Sequence, residues 1–330
     1  MIESLIRRNK QIPGFITISI KLLVVLIFGA LLYREFNNNT IVFEVFARSL
    51  SEGNIIFYII PLLLMIPNWS IEIIKWKKLT NVFNPLSWNQ ATQSVLSGIS
   101  LGIITPSRIG EYAGKLMYVS QENKNKAITA GFLSSLAQNI INIGFGTIAL
   151  LLYNSLIHAW PPAVIMSTVT IAIVILSFMI LLYFNTPAAF RFFSYAFIPN
   201  MLKKWLSKAV VALPKDKSLL NELLFASLCR FMIYLSQYVI LLLAFGFDVN
   251  PLYACVGVAV IFLIQSGIPL PPVLSILARA EIALFVFAPL GQNSLTLLAA
   301  TFTLWVINLL IPALIGLVPM LRYNLNTETK

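Results

Sequence analysis

Two breaks in an otherwise apolar sequence carry charged side chains, and the first of them could bind an anion. Arg108 and Glu111 are three residues apart, so they share a face if the segment is helical. The guanidinium of an arginine is a fixed fork of donors that fits a phosphate, and a neighbouring carboxylate can hold that fork in place. Pro106 and Gly110 would turn backbone amides towards the same anion. A structural ion pair that caps an interfacial helix is the alternative interpretation.

The second break is rich in proline and is followed by Arg279 and Glu281. These two residues are two positions apart and cannot share a helical face, so each is expected to pair with another segment. Arg230 lies near the middle of a long apolar stretch and needs a counter-charge, for which Glu111 and Glu281 are the candidates. Ionisable residues at membrane depth usually serve a function, although a salt bridge inside the helix bundle is the alternative.

Two further polar groups are compatible with either packing or function. Gln138 and Asn142 are four residues apart on a predicted helix and form a polar stripe, which would contact a substrate or hydrogen-bond to a neighbouring helix. Glu72 and Lys75 are three residues apart at the end of another apolar run. We expect these two to pair at the cytoplasmic interface and to anchor the helix there.

The composition indicates a membrane protein with several spans. Of the 330 residues, 58% are hydrophobic and 11% are charged, and the mean hydropathy is +0.86, a profile that soluble domains do not have. The net charge of +11 does not indicate nucleic acid binding, because the basic residues fall in short loops between apolar runs. The sequence contains no metal-ligand cluster, nucleotide-binding lysine motif or nucleophile with a nearby base, so we expect no cofactor and no enzyme activity.

The chain is therefore predicted to be an all-α polytopic membrane protein. Six apolar segments contain on the order of 20 residues, the length that crosses a hydrocarbon core of about 30 Å. They cover residues 16–33, 54–75, 127–153, 163–184, 220–246 and 294–321. Two other regions, 87–120 and 252–289, each contain two shorter apolar limbs around a break, and we predict that both are re-entrant hairpins. Pairs of true spans are the alternative, since they would give the same sidedness.

The distribution of lysine and arginine predicts the orientation. Basic residues are concentrated in alternate loops, which places both termini in the cytoplasm and the protein in the cytoplasmic membrane. With that orientation the first hairpin enters from the cytoplasm and the second from outside. Residues 54–153 and 220–321 then form an inverted-topology repeat within a single membrane domain, 1–330. The segment 187–213 mixes basic and aromatic residues and is predicted to be an amphipathic cytoplasmic linker.

The segment Thr105-Pro106-Ser107-Arg108-Ile109-Gly110-Glu111 resembles the Pro-Gly-Arg-x-Gly-Glu/Asp signature of the lysylphosphatidylglycerol synthase transmembrane-region family, with serine in place of the first glycine. In the second half, Pro271-Pro272 and Glu281 match the family's Pro-Gly-Gly-x-Gly-x-x-Glu, but its glycines are missing. The resemblance implies a flippase-like fold with two opposed hairpins. In two-domain members this region is associated with moving aminoacylated phospholipid between leaflets, and a soluble domain makes the lipid. We expect this chain to be a stand-alone member that does not synthesise the lipid.

These observations favour a lipid translocase over two other functions. A polar cavity lined by Arg108, Arg230 and Arg279 would replace water around an anionic, polyprenyl-linked or aminoacylated head group. Glu111 and Glu281 would balance that charge or couple the movement to protons. The expected partner is a membrane lipid. The sequence leaves open whether the chain forms a homo-oligomer and whether it acts with a separately encoded lipid-modifying enzyme. The alternatives are a secondary carrier for a small organic anion, and a membrane-embedded accessory or transferase subunit in glycolipid or cell-envelope synthesis.

Overall fold

The computed structural model describes residues 54–105, 108–157, 160–185, 216–267, 275–291 and 293–323, together with Leu22, Leu26, Gly29, Ala30, Tyr33 and Arg48. These residues form helices and connecting turns, and no β-strand occurs among them. The α-helices are α1 (Ile56–Asn81), α2 (Trp88–Ile103), α3 (Ile109–Lys115), α4 (Lys124–Ile157), α5 (Pro162–Phe184), α6 (Lys217–Ala244), α7 (Pro251–Gly267), α8 (Ser275–Phe287), α9 (Ser294–Trp305) and α10 (Ile311–Arg322). A π-helix, Val306–Leu310, joins α9 to α10.

Five of the predicted spans are confirmed as helices that are long and apolar enough to cross a membrane. They are α1, α4 with its preceding turn, α5, α6 and the continuous helix from Ser294 to Arg322. The chain is therefore a multi-pass, all-α membrane protein. The remaining predicted span, 16–33, is described only at isolated positions, and the predicted linker, 187–213, lies outside the described residues.

Helix α1 extends beyond the apolar run that predicted it. The run 54–75 ends at Lys75, whereas the helix continues to Asn81. Lys75 does not mark an interface, because its side chain is 1% exposed and lies inside the helix bundle. Hydropathy locates the end of an apolar run. A helix can continue beyond that point when neighbouring helices cover its charged residues.

Both broken segments form pairs of short helices. Helix α2 has 16 residues and α3 has seven, which correspond to about 24 Å and about 10 Å, less than the core thickness of about 30 Å. Helix α7 has 17 residues, the lower limit for a span, and α8 has 13. These lengths favour re-entrant hairpins over pairs of spans. The inverted repeat stays a prediction, and the second break, 268–274, lies outside the described residues.

The first hairpin is held together by contact between backbones. A Cβ atom added to Gly114 of α3 would lie 2.3 Å from the backbone nitrogen of Gly98 on α2. The hydroxyl of Ser94 on α2 also donates to the carbonyl oxygen of Lys115 at 2.6 Å, and it accepts from the indole of Trp76 on α1 at 3.1 Å. Small residues at such positions let two membrane helices approach closely. The position of α3, and of the arginine before it, is thereby fixed against α1 and α2.

The helix formed by α9 and α10 is central, whereas α5 lies at the periphery. Gly316 on α10 approaches α2 so closely that an added Cβ atom would be 2.0 Å from the carbonyl oxygen of Leu96. In α5 the buried residues are only Ile165, Ala172 and Tyr183. Its other side chains, including many large apolar ones, form an outer surface suited to lipid.

Candidate functional site

Arg108 is held in a left-handed backbone conformation just before α3. Its φ is 57° and its ψ is 26°, and it is the only non-glycine residue with positive φ in the part of the chain that the structure describes. This conformation costs a residue with a side chain about 1–2 kcal/mol, and residues strained in this way cluster at functional sites. The backbone therefore supports a functional role for Arg108 independently of its charge.

The charged residues of α3 form a continuous chain of ion pairs. The Nη2 atom of Arg108 lies 3.0 Å from Oε2 of Glu111, as their spacing predicts. The other carboxylate oxygen of Glu111 lies 3.0 Å from Nζ of Lys115. Glu111 thus shares its charge between two cations, and it orients the guanidinium of Arg108 from one side only. The Nε atom of Arg108 is buried and has no hydrogen-bond partner in the part of the chain that the structure describes.

Gly110 does not offer its amide to an anion, so the expected role of this residue is wrong. Its N–H donates to Oγ1 of Thr105 at 2.8 Å. Glycine is needed here for space, since an added Cβ atom would lie 2.2 Å from the carbonyl oxygen of Leu101. Pro106, the other residue predicted to open the turn, lies outside the described residues.

Glu72 is the centre of a buried ion network. Its carboxylate oxygens lie 2.9 Å from Nζ of Lys115 and 2.7 Å from Nη1 of Arg230, and the Nζ atom of Lys75 is 3.8 Å away. The side chain of Glu72 is 7% exposed. The predicted partners of Arg230, Glu111 and Glu281, are therefore wrong. Glu72 can reach Arg230 because α1 packs directly against α6 along this face.

Lys75 is buried beside this network and does not anchor α1 at an interface. Its ammonium donates to the hydroxyl of Ser227 on α6 at 2.9 Å and to the carbonyl oxygen of Ser134 on α4 at 3.3 Å. These bonds satisfy a charge that could not otherwise be kept inside a membrane protein. Lys75 and Glu72 together tie α1 to α3, α4 and α6.

A chain of side-chain amides extends the network towards the π-helix. Arg230 donates from Nε to the Oδ1 atom of Asn68 at 2.9 Å, and Asn68 donates to Asn308 at 2.7 Å. Asn308 donates in turn to Gln237 at 3.1 Å. Asn308 lies within Val306–Leu310, and isolated π-helical turns occur frequently at functional sites. The extra residue in that turn is consistent with the need to place Asn308 in this chain.

A cavity of about 520 Å³ lies among these helices. Three arginines from different helices line it: Arg108 before α3, Arg230 on α6 and Arg279 on α8. The remaining polar lining includes Asn68, Gln138, Asn139, Asn142, Gln265, Ser266 and Asn308, and the aromatic lining includes Trp69, Phe231, Tyr234, Phe262 and Trp305. A space of this size, lined by cations, amides and aromatic rings, suits a ligand that has both a charged and an apolar part.

Two smaller cavities continue from the central one along α4. One of about 170 Å³ is lined by Glu72 and Arg108, and the next, of about 240 Å³, reaches Lys115. The face of α4 that borders the three cavities carries Gly131, Ser134, Ser135, Gln138, Asn139 and Asn142. These residues recur every three or four positions, so they form one polar stripe about 16 Å long. Gln138 and Asn142 belong to this stripe and hydrogen-bond to each other at 3.2 Å.

The structure separates the two charged residues of the second hairpin. Arg279 lines the central cavity, and its Nε atom is buried with no hydrogen-bond partner among the described residues. Glu281 is exposed on the surface of α8 and lines none of the three cavities described. Two positions correspond to about 200° around a helix, so the two side chains leave α8 on opposite sides. The lining of these three cavities therefore gives no support to a role for Glu281, which stays a prediction.

Glu72 and the amides of Asn68 and Asn308 are the residues of the site that the sequence prediction missed. The partners of Glu72 are 43 and 158 residues away in the chain, so local spacing does not reveal them. One signal was available, because Asn68 and Glu72 are four residues apart and share a face of α1. For Asn308 there is no comparable signal, since it is isolated in an apolar run.

Comparison with known protein families assigns the chain to one of them. The family model described as the lysylphosphatidylglycerol synthase TM region matches residues 18–316, which include Arg108, Arg230 and Arg279 and most of the chain. Among curated proteins, no sequence matches this one.

Proposed function

Since the chain belongs to the lysylphosphatidylglycerol synthase transmembrane-region family, we propose that it is a lipid translocase of the cytoplasmic membrane. It moves the head group of an anionic, polyprenyl-linked or aminoacylated lipid between leaflets. The lipid tails stay in the hydrocarbon, because the outer faces of the helices are apolar.

The observation that carries this proposal is the central cavity, into which three arginines from three separate segments converge. Charged residues are expensive inside a membrane and are retained where they line a substrate path. The cavity has the volume of a small-molecule site, about 520 Å³. Its aromatic side chains would contact the glycerol or prenyl part of a lipid next to the head group.

The polar stripe of α4 supports a route by which a head group would reach the central cavity. With both termini in the cytoplasm, as the basic loops indicate, the Lys124 end of α4 faces the cytoplasm and the stripe leads from there to the central cavity. A head group that enters from the cytoplasmic leaflet would pass Lys115 and Arg108 before it reaches Arg230 and Arg279.

The first test is the movement of fluorescent phosphatidylglycerol in proteoliposomes, followed by quenching from outside. The wild-type protein should equilibrate the lipid between leaflets, and Arg108→Ala should lower the rate by about tenfold or more, because a cation that binds the head group is lost. Arg108→Gly is the second variant, since glycine adopts the left-handed backbone without strain and keeps the fold.

The matched control is Lys78→Ala, which removes a cation from an exposed ion pair with Glu222 outside the cavity. Its rate should equal that of the wild type. Equal rates in wild-type protein, Arg108→Ala and Arg108→Gly would contradict the proposal. Uptake of a soluble organic anion, without any movement of lipid, would support a secondary carrier instead.

A further inference from the structure

The charges in and around the three cavities do not balance. The cations are Lys75, Arg108, Lys115, Arg230 and Arg279, and the carboxylates are Glu72 and Glu111. No other aspartate or glutamate among the described residues lines these cavities. The stretches next to the site that lie outside the description, 106–107 and 268–274, contain no acidic residue in the sequence. Five cations against two carboxylates leave a net charge of three positive units.

Arg279 is the cavity cation that shares neither carboxylate. Glu72 is shared by Lys75, Lys115 and Arg230, and Glu111 is shared by Arg108 and Lys115. Arg279 forms no ion pair with any residue that the structure describes, and its Nε atom is buried without a partner. A guanidinium that lines a cavity and has no counter-charge favours the binding of a ligand of opposite sign.

Among the described residues of the cavity lining, unpaired hydrogen-bond donors outnumber unpaired acceptors. Four buried N–H groups of lining side chains have no acceptor among the described residues: Nε of Arg108 and Arg279, and the indole Nε1 of Trp69 and Trp305. Only one buried acceptor of the lining, Oε1 of Gln138, lacks a donor. A ligand rich in acceptor oxygens would correct this imbalance, whereas an ammonium group, which only donates, would increase it.

We propose that the head group bound here is a phosphate ester that carries no ammonium group, so that the lipid is anionic and not aminoacylated. This inference rests on the proposed function and names its substrate class. The guanidinium of Arg279 supplies the counter-charge of the phosphate, with Arg108 on the opposite hairpin as the second ligand. A lysyl ester would bring two ammonium groups into a wall that is already positive by three charges.

The test compares two fluorescent lipids that differ only in the lysyl ester, phosphatidylglycerol and lysyl-phosphatidylglycerol, in proteoliposomes of phosphatidylcholine. Wild-type protein should move phosphatidylglycerol about tenfold faster or more, since like charge at a binding site is strongly discriminating. Arg279→Gln should lower the rate for phosphatidylglycerol by about tenfold. The rate of Arg279→Lys should lie between those of the wild type and Arg279→Gln, because lysine keeps the positive charge but lacks the two-pronged guanidinium. Lys78→Gln is the control for the same loss of charge at an exposed position.

The outcomes separate the inference from the proposed function. If lysyl-phosphatidylglycerol moves as fast as phosphatidylglycerol or faster, the inference is wrong and the protein is still a translocase. If Arg279→Gln moves phosphatidylglycerol at the wild-type rate, Arg279 is not the phosphate ligand and the inference is also wrong. If neither lipid moves but glycerol phosphate is taken up, a soluble phosphate ester is the substrate and both proposals fail.

Discussion

A single carboxylate, that of Glu72, holds three cations from three helices. Its contacts with Lys115 and Arg230 are short, at 2.9 and 2.7 Å, and both partners are largely buried. Aromatic rings add to these contacts, since the guanidinium of Arg230 lies 4.9 Å from the ring centre of Trp69. The positions of the cavity arginines therefore depend on a residue that need not touch the substrate.

Glu72→Gln is expected to destabilise the fold strongly. The substitution keeps the shape but removes the negative charge, so Lys75, Lys115 and Arg230 lose their common counter-charge. Removing one partner of a buried ion pair costs about 3–5 kcal/mol. Thermal unfolding in detergent should show a marked fall in the midpoint.

The control for this substitution is Glu222→Gln, which breaks the exposed pair with Lys78. An exposed pair contributes about 0–1 kcal/mol, so this variant should unfold at nearly the wild-type temperature. A Glu72→Gln variant as stable as Glu222→Gln would show that the buried network does not stabilise the fold.

At the level of elements, the hairpin of α2 and α3 determines where Arg108 lies. Its two helices touch through glycines, and α10 closes its other side through Gly316. Ser100 of α2 also donates to the carbonyl oxygen of Ala313 on α10 at 2.5 Å. The hairpin is thus packed on both sides without space for an extra methyl group.

Gly114→Ala should therefore separate α2 from α3. The new Cβ atom would lie 2.3 Å from the nitrogen of Gly98, a backbone atom that no side-chain rotation can move away. Overpacking of this kind costs about 1–3 kcal/mol and shifts the helices. We expect a lower unfolding temperature together with reduced lipid transport, because Arg108 moves with α3.

Gly144→Ala on α4 is the matched control. An added Cβ atom there meets only the Cδ2 atom of Leu176, at the ordinary contact distance of 3.9 Å. This variant should be at least as stable as the wild type, since alanine favours helix over glycine by about 1 kcal/mol. If both variants behave alike, close packing of α2 against α3 is not what holds Arg108.

The elements were easier to predict from the sequence than their contacts. Apolar length was sufficient for α4, α5 and α6, because the hydrocarbon core fixes how long a span must be. The pairing of Arg108 with Glu111 was also predictable, since it depends only on helical spacing. The contact of Glu72 with Arg230 was not, because it depends on how α1 packs against α6. The role of Gly110 was missed for the same reason, since its constraint comes from α2.

At the scale of the whole molecule, the two hairpins are the part of the architecture on which the transport proposal depends. Each supplies one arginine to the same cavity, Arg108 from the first and Arg279 from the second. If the hairpins enter from opposite sides of the membrane, the first hairpin borders the route from one leaflet to the cavity. The second hairpin borders the route from the other leaflet. An inverted repeat of this kind allows access to alternate between the two sides.

Cysteine labelling in intact cells tests this arrangement. The sequence contains two cysteines, Cys229 and Cys255, so a background without cysteine needs two substitutions to serine. Two exposed positions between the α-helices then report the orientation. With an impermeant maleimide, Asp248→Cys between α6 and α7 should react from outside, and Gln121→Cys between α3 and α4 should react only after permeabilisation.

The tip of the first hairpin decides between a re-entrant hairpin and a pair of spans. Ile109, at the start of α3, is 67% exposed and has no role in the ion network, so Ile109→Cys is a tolerable reporter. A re-entrant hairpin keeps this position within the membrane, because α2 and α3 are too short to carry it across about 30 Å. We expect no labelling of Ile109→Cys from outside. Rapid labelling there would mean that the tip reaches the outer surface. The prediction of two opposed hairpins would then be wrong, even if the protein transports lipid.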